Sequence, residues 1–326
     1  MEENAQTGCS LDQCRRVPDL WFPDANLVLR AENTLFRVYI ALLCARSSVF
    51  SDMISVPQPA EPGQTLDGHP VVYLYDSAAE VEVFLRAIFD SNYLMPPPSP
   101  TEFAIVMGVM RLAHKYDVPY LFRRALVHLE SSYPATLSEF IAGITKTAAT
   151  HVNCDEDVAV NLITIRALLE VGAVWLLPAA YYSACTFLPD ELVSARKSWD
   201  ALGAEQQQRC LTAQADLVRA TTRTYRWLRR IPSLDCDSPD GCQRAVSVAY
   251  QALERRADKK LDTNPLAGWA VNKLSAKLCE DGCRPLWNAL CTEALESLWR
   301  ELPGLLGLPE WEELYKRRAE VLEATT

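Results

Sequence analysis

Histidine is nearly missing from this 326-residue chain: it occurs four times, as His69, His114, His128 and His151. None stands at a zinc-protease spacing or beside a nucleophile signature. Glycine is also scarce, and no glycine-rich loop is present to cradle a phosphate. The paired carboxylates Glu80/Glu82 and Glu312/Glu313 read as solvated helix faces. The expectation is a protein that is not an enzyme. An excess of positive charge is lacking too. The formal net charge is −10, of which −6 falls in residues 1–135 and −4 in the remainder. Both parts are acidic, which argues against nucleic acid as a partner, because phosphate neutralisation needs a basic footprint. The closest approach to one, Arg223, Arg226, Arg229 and Arg230, reads as a solvated helix face.

No apolar leader is visible. Met1 to Arg16 is polar and carries Glu2, Glu3 and Asp12, so the chain reads as intracellular, cytoplasmic or nuclear. Its eleven cysteines are then reduced thiols or metal ligands in place of disulfides. One uncharged run, Gly172–Leu188, is short for a membrane span, has Pro178 in its middle and is bracketed by Glu170 and Asp190. It reads as a buried helix broken at Pro178, and no membrane association is expected.

Length and a hydrophobic content of 49% suit two domains with sizeable cores. Residues 1–16 read as a disordered arm, 17–135 as an α+β domain and 136–326 as an all-α domain. In the α+β part, Asn26–Ala31 and Thr34–Val38 form a strand hairpin, Tyr39–Ser55 two short helices, Pro57–Pro70 a loop and Val71–Tyr75 a third strand. Ser77-x-x-Glu80 and Ser99-Pro-Thr-Glu102 both read as capping boxes, opening helices near Val81 and over Thr101–Asp117, with Pro119–Ser132 following. Beyond Thr136-x-x-Glu139 the pattern is helical throughout: Asp155–Val171, Trp175–Thr186, a long amphipathic helix over Ala204–Arg230, then Arg244–Leu261, Leu266–Cys279, Pro285–Arg300 and Glu310–Leu322.

Two cysteine pairs carry the clearest chemistry. Cys236 and Cys242 lie in one polar loop, Cys279 and Cys283 in a second that includes Gly282. Short spacing lets both sulfurs of a pair face one ion, so four thiolates from two loops can form a tetrahedral structural zinc site. Cys210 or Cys291 could replace a member. The alternative is that all four are small buried side chains at helix ends. Trp269, Trp287, Trp299 and Trp311 read as packing residues, an exposed subset of which would mark a partner groove.

The segment Asp24–Met53 resembles the BTB/POZ core at Phe36, Val38, Leu43, Ala45, Arg46, Ser47, Phe50 and Met53. Val71–Asp76 is similar to that family's third strand, Phe84, Leu85, Ile88 and Phe89 to its next helix, and Leu112, Ala113, Tyr116 and Val118 to the one after. The resemblance spans Leu20 to Tyr133. Leu176–Tyr182 and Leu302–Leu314 are similar to the helical tails of BTB proteins from mushroom-forming fungi. The resemblance implies a protein–protein interaction module, a scaffold or adaptor that self-associates through its BTB domain. Asn26, Leu27, Tyr39, Ile40 and Leu43 would contribute to that interface. By alignment Asn26, Tyr39 and Ile40 replace the charged pocket of many BTB dimers. The alternatives are a substrate adaptor of a cullin-type ubiquitin ligase and a transcriptional regulator. Ile54–Pro59 lacks the apolar-x-Glu triplet of cullin binders, and no basic region or zinc-finger array favours the regulator.

Overall fold

A computed structural model describes residues 10–55, 64–144, 152–153, 157–259, 264–268 and 273–323. It is mixed α/β, a small sheet near the N-terminus followed by a helical region. Branched and aromatic residues in short runs set the sheet. Strand β1 (Arg15–Trp21) is followed by β2 (Leu27–Ala31), β3 (Thr34–Val38), β4 (Thr65–Leu66) and β5 (His69–Leu74). They lie in the order β1-β3-β2-β5-β4. The β2–β3 pair is the expected antiparallel hairpin, with Leu29 opposite Phe36. β5 runs parallel to β2, and β1 parallel to β3. Every residue of β2 is buried, as a strand covered on both faces must be.

Two expectations need correcting here. Residues 10–16 are not a disordered arm: Leu11 and Cys14 pack with Val28, Leu35 and Leu66, and Arg15 begins β1. Residues 1–9 lie outside the described residues. Of the loop expected over 57–70, residues 57–63 lie outside the described residues, and the rest contains β4 and the start of β5, joined through Asp67-Gly68. Both turn residues have positive φ, 51° and 80°, the requirement of the tight hairpin turn that matches strand twist and favours Asp-Gly.

Helices α1 (Ile40–Arg46) and α2 (Ser48–Ser55) are separated by Ser47, whose hydroxyl donates to the Tyr116 carbonyl and accepts from the Phe50 N–H at 3.1 Å. Helix α3 (Ala78–Phe89) is capped as its sequence requires: Ser77 Oγ accepts the Glu80 N–H at 3.2 Å. The second capping box does not form. Thr101–Glu102 instead pairs as a short parallel bridge with Val152–Asn153, and α4 (Phe103–Lys115) starts after it with no side-chain cap. Asp117, at φ 50°, breaks the chain before α5 (Pro119–Glu130). Between those helices Tyr116 stacks on Phe50 at 4.7 Å and donates to Asp76 at 2.5 Å. Burial and that bond push its phenol pKa far up.

The chain divides into two units at Leu129, earlier than the expected boundary after residue 135; residues 152–153 go with the first unit. The reason lies in the end of α5. Glu130 accepts from Trp175 Nε1 at 3.0 Å and from Arg318 at 2.6 and 3.0 Å, and Tyr133 donates to Asn161 at 3.0 Å. Those bonds commit the segment to the helical unit.

Within that unit the uncharged run is a 3-10 turn over Val174–Leu176 and a helix over Leu177–Cys185, in which only Ser183 is not fully buried. Pro178 stands in the helix's first turn, where its missing N–H costs nothing. It starts the helix and does not break it. Among the described residues no helix is long and apolar enough to cross a membrane. The long amphipathic helix ends at Thr224 and continues as a 3-10 turn, Arg226–Arg230. Of the expected helix 266–279, the described residues form 3-10 turns, Pro265–Gly268 and Lys273–Lys277, and residues 269–272 lie outside the described residues. An aromatic seam of Phe140, Trp299, Trp311 and Tyr315, with centroids 5.1–5.6 Å apart, holds the C-terminal helices Cys283–Leu305 and Trp311–Leu322. Trp287, Trp299 and Trp311 are all buried, so none marks a groove; Trp269 lies outside the described residues.

Glu130→Ala leaves Trp175 Nε1 and Arg318 without their shared acceptor. Urea denaturation is expected to show a loss of about 2–3 kcal/mol, with Glu130→Gln losing less because one acceptor oxygen remains.

Candidate metal centre

Each cysteine pair sits where a loop turns into a helix. Cys242 lies in the first turns of helix Pro239–Lys259, its N–H donating to the Ser238 carbonyl at 2.9 Å. Cys283 is the first residue of helix Cys283–Leu305. Cys236 and Cys279 lie in the loops just before those helices. Helix N-termini present unpaired N–H groups and a partial positive charge, which favours a thiolate.

The four sulfurs come together, all within 4.8 Å of one another. Cys236 Sγ and Cys279 Sγ are 3.8 Å apart, although 43 residues separate them in sequence. A tetrahedral ion with metal–sulfur bonds of about 2.3 Å sets its sulfurs about 3.8 Å apart. Cys242 and Cys283 are buried, Cys236 and Cys279 half-buried.

Main-chain donors surround the sulfurs. The Cys283 N–H donates to Cys279 Sγ at 3.1 Å, the Cys279 N–H to Cys242 Sγ at 3.3 Å and the Ser233 N–H to Cys283 Sγ at 3.3 Å. Such bonds stabilise sulfur as an anion and orient it. The Cys283 N–H is the main reason the Cys279 thiol falls to about 6. Cys236 is pushed up to about 12, by desolvation first and then by the neighbouring thiols. Desolvation also raises Cys242. An arriving cation therefore displaces protons from the site.

Gly282 allows the two loops to meet. A Cβ on it would lie 2.6 Å from the Asp235 carbonyl oxygen and 3.1 Å from Ser233 Oγ. Its φ of −109° is open to any residue, so close approach and not turn geometry requires glycine there. Ser233, which reaches Cys283 Sγ with both N–H and hydroxyl, carries no motif that points to it in the sequence. Only the fold brings it beside the cluster.

No family model and no curated protein matches the chain.

The substitute ligands considered above stand elsewhere. Cys210 is buried beside Cys185, whose thiol donates to its carbonyl at 3.5 Å. Cys291 is buried alone, its thiol raised to about 11 by desolvation. The described histidines fall in three separate settings: His69 meets Arg37 at 2.9 Å, His114 packs on Phe122, and His128 donates to the Met95 carbonyl at 2.8 Å.

The expected interface residues are also placed. Leu27 and Leu43, at 1% and 0% exposure, fill their own unit's core. Asn26 accepts the Ile40 N–H at 3.1 Å, capping α1. Tyr39 donates to Asp24 at 2.5 Å and packs on Phe22 at 5.2 Å. Ile40 is half-buried. These five residues brace the strand hairpin against α1.

Gly282→Ala forces the loops apart and is expected to cost about 1–3 kcal/mol in chemical denaturation. Gly143→Ala is the control. Nothing lies within 4 Å of a Cβ there, so it should be neutral or stabilise by up to about 1 kcal/mol.

Proposed function

We propose that this chain is a protein-binding scaffold of the BTB/POZ kind whose helical tail is held by a structural zinc ion. The observation that supports the first half is the order of elements in the N-terminal unit: hairpin, two short helices, a strand parallel to the first hairpin strand, then three helices. Of the residues on which the resemblance rests, Phe36, Val38, Leu43, Phe50, Phe84, Leu85 and Leu112 are each at most 2% exposed, whereas Ala45 and Arg46 are exposed. The unit also exposes Tyr75, 85% accessible just beyond β5, and tyrosine is a frequent anchor of protein interfaces.

The second half rests on the four sulfurs. Their separation fits one ion, and a set of four thiolates selects zinc among common divalent ions. Bound there, the ion would tie helix Pro239–Lys259 to helix Cys283–Leu305 at their N-terminal ends. Its role is structural, since four protein ligands leave no open position for a substrate.

Two measurements test the reading. Elemental analysis of protein purified without chelator is expected to give one zinc per chain, and a strong chelator should lower Tm by about 10 °C or more, at roughly 2–4 °C per kcal/mol. A zinc content of zero ends the metal reading. For the scaffold, calorimetry against a cullin N-terminal domain is expected to show no heat, while light scattering gives a mass above one chain. Micromolar or tighter cullin binding would make the protein a ligase adaptor instead, and a monomeric mass would restrict it to scaffolding other proteins.

A further inference from the structure

The four sulfurs are not equivalent to a reagent arriving from solvent. Cys242 and Cys283 are buried, whereas Cys236 and Cys279 are half-exposed. The two accessible sulfurs are also the pair that stands 3.8 Å apart across the two loops. A disulfide needs its sulfurs about 2.05 Å apart, so closing the gap takes less than 2 Å of movement between loops. Neither accessible cysteine lies within a helix: Cys236 precedes Pro239–Lys259, and Cys279 precedes Cys283–Leu305.

We propose that Cys236 and Cys279 form an oxidative modification site, at which a peroxide converts the zinc centre into a disulfide and releases the ion. The inference rests on the zinc reading above. One accessible thiolate attacks a peroxide oxygen. The O–O bond breaks, an S–O bond forms, and hydroxide leaves. The other thiolate then attacks the sulfenic sulfur, forming the S–S bond and expelling a second hydroxide. Both hydroxides take protons from solvent to give water. Two electrons pass from the two sulfurs to the peroxide, and zinc keeps its charge of two throughout. With two of four thiolates consumed, the ion has only Cys242 and Cys283 left and dissociates.

The new bond spans the same two loops that the ion spans. The tail therefore loses its metal without losing its cross-link, and Cys242 and Cys283 remain as thiols. A dithiol reductant with added zinc reverses the change, since the disulfide stage of cysteine oxidation is reducible.

The test is to treat the full-length zinc protein with hydrogen peroxide, follow released zinc with a chromogenic chelator, and map disulfides by peptide mass spectrometry without reduction. The expected result is one zinc released per Cys236–Cys279 disulfide, with dithiothreitol and zinc restoring the starting metal content. Retention of zinc with all four thiols intact overturns the proposal, and so does a disulfide joining any other pair. The Cys236→Ser variant gives a second reading, because it removes one partner of the bond. No Cys279 disulfide should then form at any peroxide dose, and one that forms overturns the assignment. A protein that carries no zinc before treatment overturns the metal reading itself, a failure distinct from zinc that stays bound under peroxide.

Discussion

Four cysteine sulfurs within a few ångströms of one another would, once ionised, each have to face something positive. The C-terminal part of this molecule is arranged around that demand. Two helix N-termini point into one place, the Ser233, Cys279 and Cys283 N–H groups are turned onto sulfur, and Gly282 removes the one Cβ that would hold the loops apart. The proposed cation would complete the arrangement.

The N-terminal unit obeys a different constraint. Its central strand β2 is buried on both faces, so each face needs a cover. Ser47, Phe50, Tyr116 and Asp76 form a run of hydrogen bonds and stacked rings that fixes α1 and α2 to the segment between α4 and α5. Among its described residues the helical unit has no sheet to organise it. It uses single polar hubs instead. Glu130 collects Trp175 and Arg318, and Arg209 donates to the Leu306 and Gly307 carbonyls at 2.7 and 2.6 Å, satisfying the end of helix Cys283–Leu305.

What could be read from the sequence was what short-range chemistry decides. The β2–β3 hairpin shows as two β-rich runs with a two-residue link, and Ser77 and Thr136 cap their helices where their spacing says they should. The four cysteines were legible because each pair is local, leaving only the meeting of the pairs to the fold. β1 was hidden because Arg15–Trp21 contains Pro18 and a register irregularity, and its buried positions, Val17 and Leu20, fall three apart and not two. Asp67-Gly68 was a turn signal in plain view, masked by the prolines around it. The second capping box had the right letters, but pairing with Val152–Asn153 won over the cap. The burial of Leu27 and Leu43 in their own unit was not legible, because the same apolar letters suit a core and a partner face.

The pairing of near neighbours has a kinetic side. Cys236 and Cys242 close a short loop, as do Cys279 and Cys283, and short loops close quickly and at little entropic cost. The slow event is the meeting of the two halves, since the Cys236–Cys279 contact spans 43 residues. The proposed ion, once caught by one pair, would turn that search into a single encounter with a ready-made second claw. The order of assembly of the helical unit would then be governed by the moment of metal capture, and the supply of the ion during synthesis would decide how long the exposed faces of its helices wait for one another.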